Sequence, residues 1–66
     1  MQITMKQARV GADMTQKQMA EQMGVHVQTY MRMESHPEDL TIKQGKLFSR
    51  ITGVRFEDLF FAQDSN

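Results

Sequence analysis

The chain has no cysteine, no tryptophan and a single proline, and its charges cancel, with eight basic and eight acidic residues among 66. Without cysteine there is no disulfide and no thiolate metal site. A chain this short buries only about 60% of the surface its unfolded form exposes. Its stability must therefore come from helix packing or association rather than from a covalent staple. The zero net charge lacks the basic excess usual in domains that grip phosphates. No apolar run approaches the length of a membrane span, and the opening MQITMKQARV contains no apolar leader core. These absences predict a soluble, cytoplasmic protein. The charge is uneven along the chain: Lys6, Arg9 and Lys17 face only Asp13 up to Gln18, whereas Glu57, Asp58 and Asp64 outweigh Arg55 at the other end.

What is present is helical patterning. Thr4 to Ala12 reads as a first helix with Met5 and Ala8 on one face, and Asp13 as its stop, since Asp tolerates the left-handed conformation. Thr15 and Gln18 form a capping-box pair, opening a second helix that buries Met19, Ala20 and Met23 and ends at Gly24. Val25 is a candidate core plug in the turn. A third helix runs from Val27 to Glu34. At about 100° per residue, Tyr30 and Met33 fall on one side of it, while Val27, Gln28, Met31 and Arg32 share the other. Pro37 prevents its continuation, leaving 35–40 as a loop. Thr41 and Gln44 repeat the capping box before a fourth helix that reaches Ile51 or Thr52, with Gly45 as a weak point and Gly53 as the stop. A short fifth helix is expected over Glu57 to Phe61. The pattern predicts an all-α bundle of four to five short helices: one domain over 1–61, then a frayed polar tail over 62–66. No segment alternates with the period of a strand.

A helix, a short turn containing glycine and a second helix form the helix-turn-helix signature. Here Thr15-Gln16, Met19-Ala20, Gly24-Val25, Tyr30 and Glu34 resemble the Thr-Gln-x-x-Leu-Ala-x-x-x-Gly-Val-x-x-x-x-Ile-x-x-x-Glu pattern of the Cro/C1 (Xre) family. The resemblance reaches back to Arg9 and forward to Gly53-Val54 and Glu57-Asp58-Leu59-Phe60, covering about sixty residues. It implies a lambda-repressor-like fold and a small DNA-binding transcriptional regulator of phage or prophage repressor type, with double-stranded operator DNA as its partner. It also implies that the third helix reads the major groove, where each base pair has a distinct donor and acceptor pattern.

Carried over residue by residue, the DNA-contacting set is Gln16, Lys17, His26, Val27, Gln28, Thr29, Met31, Arg32 and Lys43. Gln28 suits adenine and Arg32 guanine, Val27 and Met31 suit thymine methyl groups, and Gln16 matches a phosphate-contacting position. Arg9 and Glu34 match a structural ion pair tying the first helix to the third. Where the family often has Ser or Thr, His26 stands as the start of the third helix. Where it often has Gly and basic residues, Ser35-His36-Pro37-Glu38-Asp39 stands.

Other chemistry has little support in the sequence. His26 and His36 are lone histidines without partners at ligand spacing, so no metal and no cofactor are expected. Ser35, Ser49 and Ser65 lack a nucleophile motif, and the domain is small for a substrate pocket, so neither an enzyme nor a small-molecule ligand is expected. Met14, Met19, Met23 and Met33 read as core filler. Of Phe56, Leu59, Phe60 and Phe61 some must cap the core, but not all four fit so thin an interior, so part of this cluster is assigned to a dimer face, giving a homodimer with two reading helices. The neutral charge and acidic loop also suit an alternative, a protein-interaction module on the same fold, such as an antirepressor that binds another regulator.

Overall fold

The computed structural model describes residues 2–59. Four α-helices follow one another: α1 Met5–Gly11, α2 Gln16–Met23, α3 Val27–Ser35 and α4 Ile42–Thr52. A 3-10 turn at Pro37–Asp39 joins α3 to α4, and a second at Phe56–Asp58 follows α4.

The helix starts are set by one repeated device. Thr4, Thr15 and Thr41 each accept a hydrogen bond from the backbone N–H of a glutamine three residues on, Gln7, Gln18 and Gln44. Each glutamine side chain accepts one back from the threonine N–H. Two otherwise orphaned donors are thereby satisfied at each start. α3 lacks this device: His26 occupies the cap position with extended backbone and makes no side-chain bond there. The stops are equally local. Gly24 and Gly53 take left-handed conformations at φ 73° and 78°, and Asp13 does so at φ 61°. Past Gly24, the N–H of Val25 bonds the Ala20 carbonyl at 3.0 Å, and Val25 packs against the core. That closure sharply redirects the chain from α2 into α3.

The core is assembled from small contributions of each α-helix and of the residue after the second 3-10 turn: Met5 and Ala8, Met19, Ala20 and Met23, Tyr30 and Met33, Phe48, and Leu59. Met14 lies half-buried against it. Tyr30 and Phe48 stack with ring centroids 6.5 Å apart, joining α3 to α4. Methionine suits this role because its unbranched side chain adapts to an irregular interior.

Two expectations are corrected near the C-terminus. Where the expected fifth helix would begin there is a 3-10 turn over Phe56–Asp58, after which Leu59 is extended at φ −87°, ψ 140°. Leu59 pairs with Ile3 in an isolated parallel bridge, and the Ile3 N–H bonds the Asp58 carbonyl at 2.8 Å. The extended backbone turns the Leu59 side chain into the core, where it is only 5% exposed. Leu59 is therefore interior and not part of a dimer face. Phe56 is half-buried. Phe60, Phe61 and the tail over 62–66 lie outside the described residues.

Candidate nucleic-acid interface

α3 is held from behind by a polar network centred on Glu34. Arg9 Nε donates to Glu34 Oε2 at 2.6 Å, and the Tyr30 hydroxyl donates to the same oxygen at 2.6 Å. Gln16 Nε2 donates to Glu34 Oε1 at 3.1 Å. Arg9 also donates through Nη1 to the Met14 carbonyl at 2.9 Å, which ties down the loop between α1 and α2. One carboxylate thus joins the first three helices. Its neighbours sit out of water, with Arg9 only 9% exposed and Tyr30 fully buried. A charge in that position is tolerated because its partners satisfy it, and no buried side-chain polar atom of the described residues lacks a partner.

The network has a pH signature. Burial pushes the Glu34 carboxyl up, but hydrogen bonds from Arg9, Tyr30 and Gln16 outweigh burial and hold it below its ordinary value of 4.5. A depressed carboxylate stabilises the fold above its unfolded-state pKa and loses that contribution as pH falls through the lower folded value. Tyr30 moves the opposite way. Burial first, then the bond to Glu34, raises its hydroxyl well above the ordinary 10.0, so its contribution is lost as pH rises past about 10. Thermal unfolding followed from pH 2 to 11 is expected to show a plateau through neutrality. Stability should fall away below about 4.5 and again above about 10. Replacing Tyr30 with phenylalanine should reduce the alkaline fall.

With its inner face fixed, α3 presents the other side to solvent. His26, Val27, Gln28, Thr29, Met31 and Arg32 are all exposed, including the two apolar ones, Val27 at 38% and Met31 at 46%. Gln28 and Arg32 have no side-chain partner among the described residues. Val27 and Met31 are one helical turn apart, and so are Gln28 and Arg32, so the four form a patch with both apolar and hydrogen-bonding character.

The remaining contact candidates divide. Lys17 and Lys43 are exposed in the first turns of α2 and α4. Gln16 is half-buried and already bonded to Glu34, a role for which the sequence carried no signal. Its amide nitrogen has two hydrogens, so one N–H remains beyond the bond to Glu34. The Tyr30–Glu34 bond was foreshadowed only by an i,i+4 spacing.

The helix termini offset the neutral net charge. None of α2, α3 and α4 carries an acidic residue in its first turn. The capping boxes of α2 and α4 use neutral glutamine at the position where glutamate is the other common choice. The partial positive charge of each of these starts is therefore not neutralised by an acid of its own first turn, although at α2 the Glu34 carboxylate reaches Gln16. Acidic groups are placed elsewhere: Glu38 and Asp39 lie in the 3-10 turn after α3, with the His36 ring 3.6 Å from Glu38. Arg55 pairs with Glu57 at 2.7 Å and lies 3.7 Å from Asp58. No group of three or more potential metal ligands is found among the described residues, and no helix among them is long and apolar enough to cross a membrane.

No curated protein and no solved structure matches the chain. A family model described as Helix-turn-helix matches residues 5–59, a span that begins with α1 and closes at the Leu59 bridge. The chain belongs to the Cro/C1-type (Xre) helix-turn-helix family, a family of DNA-binding regulatory domains.

Proposed function

We propose that the protein is a sequence-specific transcriptional regulator of phage or prophage repressor type that reads the major groove with α3. The observation carrying this reading is the division of α3 into two sides. One is locked by Tyr30, Met33 and the Glu34 network, and the other offers Gln28, Arg32, Val27 and Met31 without protein partners. A helix already fixed in place loses little backbone freedom on binding, which favours discrimination between bases. In this reading Gln28 meets adenine, Arg32 meets guanine, and Val27 and Met31 pack on thymine methyl groups, with His26 and Thr29 at the margins. Gln16, Lys17 and Lys43 meet phosphates, assisted by the acid-free starts of α2 and α4. A twofold dimer places two α3 helices about one turn of DNA apart. Phe56, still partly exposed, is the described residue assigned to that contact. Occupying the operator and excluding competitors is the simplest mode of repression.

The test is selection of bound duplexes from a random pool at two salt concentrations, with Arg32→Ala and Gln28→Ala alongside. The expected product is an inverted repeat whose binding weakens with salt. Each variant should lose about 1–3 kcal/mol and relax the preference at one position of each half-site. Unchanged preference in both variants would remove those two base assignments, and no enrichment at low salt would sink the reading itself. A second reading, a protein-interaction module such as an antirepressor, is favoured by Glu38 and Asp39 following α3, since carboxylates there repel a phosphate backbone. Binding that survives high salt would support it, because apolar association does not weaken as phosphate binding does.

A further inference from the structure

Ile42 is the most exposed large apolar side chain among the described residues, at 69%. It borders a shallow groove of about 450 Å³ lined by Ile42, Lys43, Lys46, Leu47 and Arg50. Positions 43, 46, 47 and 50 follow the spacing of one helical stripe, and about 100° per residue sets that stripe on the side of α4 opposite Phe48. The groove therefore combines the exposed Ile42 and the half-buried Leu47, which also packs against the core, with three cations. None of the three has an ion-pair partner among the described residues. Like charges at three- and four-residue spacing destabilise a helix. Lys43 additionally stands in the first turn, at the positive end of the helix dipole. Only Arg50, in the last turn, is placed favourably for the dipole.

The chemistry narrows what can cover this face. A second copy packed α4 on α4 about a twofold axis would set cations against cations. A duplex would supply negative charge but little apolar surface for Ile42 and Leu47. A duplex held by α3 is assigned only Lys43, at the start of α4, whereas Lys46 and Arg50 stand about one and two turns further along the helix. We propose that the outer face of α4 docks an acidic amphipathic helix of another protein. Its apolar residues cover Ile42 and Leu47, and its carboxylates flank Lys43, Lys46 and Arg50. This is recognition of an amphipathic helix with charge complementarity, and it shares only Lys43 with the duplex contact proposed above.

The probe is a synthetic helical peptide with leucine at i, i+3, i+4 and i+7 and glutamate on both flanks, titrated into the full chain while amide chemical shifts are followed. The largest shifts are expected along 42–50. The Lys46→Glu, Arg50→Glu double variant should bind at least about tenfold more weakly, as expected for reversing two rim charges. Lys6→Glu, a charge change on α1, should leave peptide binding unchanged. Circular dichroism of each variant separates lost binding from lost folding. If Lys46→Glu and Arg50→Glu prevent folding, Lys46→Gln and Arg50→Gln replace them, with the same direction expected. Absence of shifts on α4, or equal binding by wild type and the folded charge variants, overturns the proposal. So does an operator duplex whose salt dependence falls when Lys46 and Arg50 are replaced, because the face would then be a phosphate surface.

Discussion

Replacing Glu34 with alanine is expected to cost about 3–5 kcal/mol of stability, the usual penalty for removing one partner of a buried ion pair. At about 0.05–0.15 kcal/mol per residue, a domain of this length holds about 3–10 kcal/mol in all, so the variant should lose a large part of its stability at 25 °C. The loss comes less from the missing attraction than from what is stranded. Arg9, 9% exposed, keeps its charge without a counter-ion. The Tyr30 hydroxyl and the Gln16 amide lose their acceptor at the same time. Urea unfolding followed by circular dichroism measures the loss. A double variant, Arg9→Met with Glu34→Leu, tests the cause. If stranded charge dominates, removing both charges should restore part of what Glu34→Ala loses. A double variant as unstable as the sum of its single changes would show instead that Glu34 acts mainly by holding the three helices together.

Phe48→Ala should produce a loss of similar size, about 3–5 kcal/mol, for a different reason. Phe48 is fully buried and stacks against Tyr30, so truncation removes transfer energy and leaves a cavity in the middle of a thin core. Few neighbours are rigid enough to stay in place around it. Met5, Met19, Met23 and Met33 belong to the same core cluster, and their flexible side chains should fill part of the void, placing the loss toward the lower end of the range. Phe48→Leu should lose clearly less, because most of the volume returns. A loss from Phe48→Ala below about 1 kcal/mol, the level of an ordinary point mutation, would mean that α4 is not part of the cooperative unit. The α3 surface would then rest on α1 and α2 alone.

Helix boundaries were legible in the sequence wherever a local device sets them. Thr15 with Gln18 and Thr41 with Gln44 act within one turn, and Gly24 and Gly53 stop helices through their own backbone freedom. α1 begins at a capping box of the same kind, Thr4 with Gln7. The outward side of α3 was also legible, because periodicity alone separates Val27, Gln28, Met31 and Arg32 from Tyr30 and Met33. The Arg9–Glu34 pair was implied by the family resemblance and not by spacing, since 25 residues separate the partners. Gln16 was visible only as a surface candidate.

At the C-terminal end, local pattern and tertiary structure part company. Glu57, Asp58 and the apolar residues after them read as the first turn of a helix, yet the chain makes a single 3-10 turn and extends at Leu59. The winner is the edge contact with Ile3, which lets Leu59 enter the core while its backbone pairs with a segment 56 residues away in sequence. By itself the sequence determined the four α-helices, the capping boxes of α2 and α4, and which sides of α1, α2 and α3 face inward, because those follow from interactions within a turn or two. Only the tertiary structure decided that Gln16 and Tyr30 share Glu34 with Arg9, that Leu59 is interior, and that the outer stripe of α4 is left uncovered. Each of those depends on distant segments meeting, where packing and desolvation outweigh any local preference.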